Sequence, residues 1–206
     1  SLILIKAKTG EILAMANYPS FNPGNRNEMF GSKIQNAVTS ISFEPGSTIK
    51  PAIGLAGLEA GLINADTTVS DPGWYKLPGE DRLYRDWTLR VRGTGHAPRV
   101  NLEMAIAESC DVYFYELAKK TNINDLANLA TNLGLNQKYN LGLSNAQKGL
   151  VPDKKWNRAF LDEGWYLGET LHSGIGQGYF QSTPLQLCLM TAQIANGGFE
   201  IKPRII

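Results

Sequence analysis

The apolar positions of this chain begin in short continuous runs and continue at helical spacing. Residues 2–7 and 11–16 (LILIKA and EILAMA) are apolar segments on either side of Lys8-Thr9-Gly10, the pattern of a β-hairpin. Residues 18–45 carry Asn22-Pro23-Gly24, Gly31 and Glu44-Pro45 with little periodicity, which is loop chemistry. From Ser47 onward, Ile49, Ala52, Ile53, Ala56, Leu58 and Ala60 fit one helix, closed by Gly61. Residues 64–100 are rich in Gly, Pro, Trp and Arg and predict an irregular connection, unusually long for a compact domain. Asn101 can cap helical chain that runs to about Lys120, with Glu103 near its positive end and a break near Ser109. A further helix covers 124–133 and stops at Gly134. Thr183-Pro184-Leu185-Gln186 is a capping box opening a helix that ends at Gly197-Gly198. The sum is a hairpin followed by a mostly helical body, read as one α+β domain over residues 1–206.

Composition narrows the function classes only slightly. A formal net charge of +1 gives no bulk attraction to nucleic acid or a membrane surface. No apolar run reaches the roughly 18–20 residues of a membrane span. Both ends read as cut, because Ser1-Leu2-Ile3-Leu4-Ile5 is already strand-like and Pro203-Arg204-Ile205-Ile206 stops in apolar chain. Cys110 and Cys188 are too few for a disulfide framework.

The sharpest chemistry is Ser47-Thr48-Ile49-Lys50, where a Glu44-Pro45-Gly46 turn meets a helix. Ser and Lys three apart share a helix face, so the amine can reach the hydroxyl. A helix start also offers free N–H groups to an oxyanion. Pro51 removes one helical N–H and is expected to leave the Ser47 carbonyl without its usual partner. For Lys50 to act as a base it must be neutral part of the time. Ser-x-x-Lys alone is weak, since it arises roughly once by chance in a chain this size.

The wider string Phe43-Glu-Pro-Gly-Ser-Thr-Ile-Lys-Pro51 resembles the active-site segment of class B penicillin-binding proteins. Ser109-Cys110-Asp111 is similar to that family's second motif, Ser-x-Asn or Ser-x-Asp, with Asp in place of the commoner Asn. Lys8-Thr-Gly-Glu-Ile-Leu-Ala-Met-Ala16, Tyr18-Pro-Ser-Phe-Asn-Pro23, Asp71-Pro-Gly-Trp74, Tyr84-Arg-Asp-Trp87 and the Gly174–Gln186 string all resemble the cell-elongation branch. The resemblance implies a transpeptidase fold, here its N-terminal hairpin and mainly helical subdomain, without the later sheet strands. It implies Ser47 as nucleophile, Lys50 as base, Ser109 as proton relay and Asp111 as an orienting group, with no cofactor for catalysis. It also implies cross-linking of peptidoglycan stem peptides through an acyl-enzyme at the periplasmic face of the bacterial inner membrane, and acylation by β-lactams. Implied partners are a membrane glycosyltransferase and scaffold proteins of the elongation machinery, and no nucleic acid.

Three lookalikes fall away. Lys8-Thr9-Gly10 matches the family's third motif, Lys-Ser/Thr-Gly, but precedes the nucleophile and reads as a turn. Ser20-Phe21-Asn22 matches the second motif but lies in a loop, and His172-Ser173-Gly174 lacks the lysine. The third motif is expected beyond Ile206, which would leave this piece impaired alone. Other readings are a β-lactam sensor acylated without turnover, a D,D-carboxypeptidase, a serine β-lactamase, and a non-catalytic interaction module. A Ser-His-Asp hydrolase using His96 or His172 lacks a Gly-x-Ser-x-Gly elbow. Trp156, Trp165, Tyr166 and Tyr113-Phe114-Tyr115 read as core or groove walls.

Asp71, Asp86, His96 and Cys110 are ligand types that zinc accepts, but their spacing is no standard finger. Asp71 also reads as a turn residue, His96 as a loop histidine, and Cys110 as a small buried residue or a partner for Cys188. The resemblance implies a structural zinc, because elongation-type members bind the metal with acidic, His and Cys residues at similar places.

Overall fold

A computed structural model describes residues 1–28 and 35–205. Residues 29–34 of the expected loop, and Ile206, therefore lie outside the described residues. The chain divides into two compact units, one of residues 1–44, 130–151 and 180–206, the other of 45–129 and 152–179.

In the first unit the expected hairpin forms. β1 (Leu2–Ile5) pairs antiparallel with β2 (Ile12–Ala16), with Leu2 opposite Ala16 and Leu4 opposite Ala14. Alternation puts Ile3, Ile5 and Met15 on one face. That face packs on a core of Val38, Leu185, Leu189, Ala192 and Ile201. Val38 comes from α1 (Ala37–Ser40), and the three residues from 185 to 192 come from α9 (Pro184–Ala195). The α9 capping box closes as the sequence requires, with the Thr183 hydroxyl accepting from Gln186 N–H and the Gln186 amide oxygen accepting from Thr183 N–H.

The second unit is built on α5 (Asp111–Lys120), whose Val112, Tyr113, Phe114, Leu117 and Ala118 are all buried. α2 (Lys50–Glu59) and α8 (Leu167–Gly174) both pack on it. Small residues allow the close approach: Gly174 faces Ala118 and the Phe114 carbonyl, and Gly57 faces the Leu117 methyls. α4 (Leu102–Ala107) precedes α5 and is capped by the Asn101 side chain, which accepts from Met104 N–H. α6 (Ile123–Asn132) follows α5, and Gly134 beyond it takes a left-handed φ of 97°. α7 (Lys154–Phe160) is capped by Asp153.

The 64–100 stretch is not the irregular connection its composition predicts. It holds a second hairpin, β3 (Trp74–Lys76) with β4 (Leu83–Arg85), and a short helix, α3 (Trp87–Arg92). The hairpin is fastened to α5 by aromatic packing, Tyr75 and Tyr84 lying 6.0 and 5.7 Å from Tyr115 between ring centroids. Tyr75 also donates to Glu116 at 2.9 Å. Three-residue strands and a six-residue helix are too short for a period to register. Among the described residues, no helix is long and apolar enough to cross a membrane.

Candidate active site

Ser47 lies in a 3₁₀ turn, Gly46–Ile49, that leads directly into α2. The Ser47 carbonyl is not orphaned by Pro51: the Lys50 N–H donates to it instead, as the 3₁₀ spacing allows. Gly46 fixes the entry to this turn, its N–H donating to the Gly176 carbonyl at 2.8 Å. Gly176 has φ of 70°, and a methyl group there would overlap the Gly46 carbonyl. The glycine-rich segment after His172 thus serves as backbone support under the Ser47 turn.

Lys50 is buried, yet it makes three polar contacts. Its Nζ is 2.9 Å from Ser109 O, 3.1 Å from Ser109 Oγ and 2.6 Å from Asp111 Oδ1. Ser109 Oγ in turn donates to Ser47 Oγ at 2.8 Å. The hydrogen-bonded path from Lys50 to Ser47 therefore runs through Ser109 rather than straight along the helix face. The Asp111 carboxylate and the Ser109 carbonyl draw the Lys50 terminus toward α5. Burial pushes the Asp111 carboxyl above the usual carboxylate range, and Lys50 opposes that rise only in part. Ser47 itself is exposed to solvent.

The break expected near Ser109 is a single residue in the left-handed region, φ 56°. It ends α4 and lets Cys110 cap α5, its sulfur accepting from Tyr113 N–H at 3.4 Å. Asp86 does double duty: Oδ1 caps α3 through Thr88 N–H, and Oδ2 accepts from Asp111 N–H at 2.7 Å.

The four expected metal ligands converge. One ligand atom from each of Asp71, Asp86, His96 and Cys110 lies within 4.8 Å of the others. Asp71 Oδ2 accepts from His96 N–H at 3.0 Å and contacts His96 Nδ1 at 2.6 Å, while the Cys110 thiol lies 3.4 Å away. His96 Nε2 faces the Glu108 carbonyl at 3.1 Å. Burial works against charge on both Asp71 and His96, but the hydrogen bonds between them prevail, holding the Asp71 carboxyl low and the His96 imidazole high. Burial, with the nearby carboxylates, pushes the Cys110 thiol up. The donor set fits a zinc ion: Nε2–H is satisfied by a carbonyl, which leaves Nδ1, the thiol and two carboxylates facing one point. A dication there would take the places of the thiol proton and the Nδ1 proton.

The remaining sequence readings sort cleanly. Cys110 and Cys188 are both free thiols. His96 has both ring nitrogens engaged with Asp71 and Glu108, so no Ser-His-Asp array forms around it. Lys8-Thr9-Gly10 is a turn, with Thr9 and Gly10 N–H donating to the Lys6 carbonyl. Ser20-Phe21-Asn22 lies in irregular chain, and His172-Ser173-Gly174 lies in α8. Tyr113, Phe114 and Tyr115 are core, whereas Tyr166 is largely exposed.

Comparison with known proteins places the chain in a family and a fold. A family model described as the penicillin binding protein transpeptidase domain matches residues 1–206. The chain is 37% identical over 218 aligned positions to the peptidoglycan D,D-transpeptidase MrdA of Acinetobacter baumannii, covering all of this chain and 32% of that protein. It superimposes on Pseudomonas aeruginosa PBP2 in complex with WCK 5153 with a TM-score of 0.90 at 40% identity, covering 98% of this chain and 48% of that one. It also matches Helicobacter pylori PBP2 in its complex with MreC, with a TM-score of 0.85 at 31% identity, covering 98% and 39%. The chain spans about a third of the length of the curated relatives it matches.

Proposed function

The chain belongs to the penicillin-binding-protein transpeptidase family, and from that premise we propose that the protein containing it is a peptidoglycan D,D-transpeptidase of the cell-elongation branch. The observation that carries this reading is the continuous contact from Lys50 through Ser109 Oγ to an exposed Ser47 Oγ. Asp111 Oδ1 and the Ser109 carbonyl hold the Lys50 amine beside Ser109 Oγ. In its neutral form that amine takes the Ser47 proton through Ser109 as Ser47 Oγ attacks the penultimate D-alanine carbonyl of a stem peptide. The C–N bond to the terminal D-alanine breaks, that amine takes the proton back, and an acyl-serine ester remains. An amine from a neighbouring stem expels Ser47 and forms the cross-link. β-Lactams enter by the same attack and stop at the ester.

After Ser109 the 206 residues contain no Lys-Ser/Thr-Gly. Because the chain covers about a third of its curated relatives, the whole protein is the reagent for each test, and the 206 residues alone are expected to react poorly with β-lactams. The whole protein works at the periplasmic face of the inner membrane, with a glycosyltransferase and a scaffold as partners. Given a glycan bearing pentapeptide stems, it is expected to release D-alanine and form cross-links, both lost after penicillin pretreatment. Hydrolysed stems without cross-links would instead mean a carboxypeptidase. Acylation without any product would mean a sensor.

A structural zinc is the second reading, carried by the convergence of Asp71, Asp86, His96 and Cys110. The ion would supply a closed tie between the 71–96 loops and the start of α5, with no part in bond making. Protein prepared without chelator is expected to contain about one zinc per chain, and Cys110→Ser to lose it. Chelation is expected to lower the melting temperature. Metal-free protein of full thermal stability, or a Cys110→Ser variant that keeps its zinc, would reject the site.

A further inference from the structure

Ser109 carries the proton path in a backbone conformation that L-residues disfavour, φ 56°, so something must hold it there. The Trp87 indole is placed to do so. Its Nε1–H lies 3.2 Å from the Glu108 carbonyl and 3.2 Å from the Ser109 carbonyl, a donor shared between the two peptide groups that flank the strained φ. Ser109 O also accepts from Lys50 Nζ at 2.9 Å, and Glu108 O also faces His96 Nε2 at 3.1 Å. Each carbonyl therefore has both lone pairs directed at side-chain donors.

Core filling does not account for this tryptophan. It is 39% exposed, and its ring is bracketed by the Arg92 guanidinium 5.2 Å above it and the edge-on His96 ring at 5.7 Å. The polar atom of this half-exposed tryptophan is spent on the two carbonyls, in hydrogen bonds that lie at the surface. Its own position is fixed by Asp86, which caps α3 one residue earlier and holds the Asp111 N–H with its other oxygen. Trp87 and Asp111 thus share an anchor, with Ser109 between them.

We propose that Trp87 is a positioning residue for acyl transfer: its indole N–H locks the Glu108–Ser109 peptide groups so that Ser109 Oγ rests on Ser47 and Ser109 O holds Lys50. The inference rests on Ser47 as nucleophile. Without the indole donor, Ser109 can relax toward an ordinary φ. That swings its hydroxyl off Ser47 and removes a fixed acceptor from Lys50, while the ring packing stays in place.

The test uses the whole protein with Trp87 replaced by 3-benzothienylalanine, an isostere in which sulfur stands where the indole N–H was. The acylation rate constant with a fluorescent penicillin is expected to fall about tenfold, the size of one lost hydrogen bond. The non-covalent dissociation constant for the penicillin, the melting temperature and the metal content are expected to stay at parent values. Trp87→Phe, which keeps a ring but no donor, is expected to lose at least as much rate. Acylation within twofold of the parent in the isostere would overturn the proposal, as would a rate loss that only tracks a lower melting temperature. Ser47→Ala run alongside separates the two ideas: labelling that survives there refutes the nucleophile on which the role of Trp87 rests, whereas labelling lost in Ser47→Ala with parent-rate acylation in the isostere refutes the role of Trp87 alone.

Discussion

Ser47→Ala in the whole parent protein is expected to abolish covalent labelling by a fluorescent penicillin while leaving the fold unchanged. The substitution removes one exposed oxygen whose described hydrogen bond comes from Ser109 Oγ, and the 3₁₀ turn around it is held by backbone contacts. Its effect on stability should therefore stay within about 0.5 kcal/mol, as for other surface changes. Labelling, by contrast, needs an atom to carry the acyl group. The Lys50 amine cannot stand in, because it is buried and engaged on three sides. Mapping the labelled peptide should place the adduct on Ser47, and Ser109→Ala should label slowly at the same position. A full-strength adduct in Ser47→Ala would sink the assignment and with it the transpeptidase reading.

What could be read from the chain divides by the range of the interactions involved. The β1–β2 hairpin, the cap at Asn101, the stop at Gly134 and the Thr183–Gln186 box were all legible, because each rests on residues within a few positions of one another. The break near Ser109 was visible as a boundary, but not as a left-handed residue. That conformation depends on carbonyl partners supplied from α2, α3 and the 96 loop. Helix spacing pointed only to a direct Lys50–Ser47 contact, and Ser109 as a relay came from the resemblance alone, because Asp111, which holds the Lys50 terminus, is a partner that helix spacing cannot reveal. The β3–β4 hairpin and α3 gave no periodic signal: Tyr75 and Tyr84 pair across strands too short to show a period, and the contacts that fasten them and Asp86 to α5 are distant in sequence. Likewise the convergence of Asp71, Asp86, His96 and Cys110 came from resemblance, because three separate loops and a helix start have to fold before the four meet. Trp87 carried no sequence signal for its role: its significance is one N–H direction.

Lys50→Ala is expected to have two effects that can be separated. Acylation should slow by about 10²–10⁴-fold, the usual contribution of a general base. The variant should also lose stability by about 3–5 kcal/mol, because removing one partner of a buried ion pair strands the other. The stranded group is Asp111, whose side chain is only 16% exposed and whose Lys50 contact is 2.6 Å long. The pH dependence gives the sign. Burial already raises the Asp111 carboxyl with Lys50 pulling it down, so removing Lys50 raises it further. A carboxyl raised in the folded state binds its proton more readily there than in the unfolded chain, so stability increases as pH falls toward that value. The Lys50→Ala deficit should therefore be larger at neutral pH than in mild acid, measured by denaturant unfolding across that window. Adding Asp111→Asn replaces the stranded charge with an amide and should recover most of the lost stability at neutral pH. It should recover none of the acylation, since no amine has been restored. A double variant that regains both would show that Lys50 serves the fold alone, and a single variant that acylates at the parent rate would remove it from the mechanism.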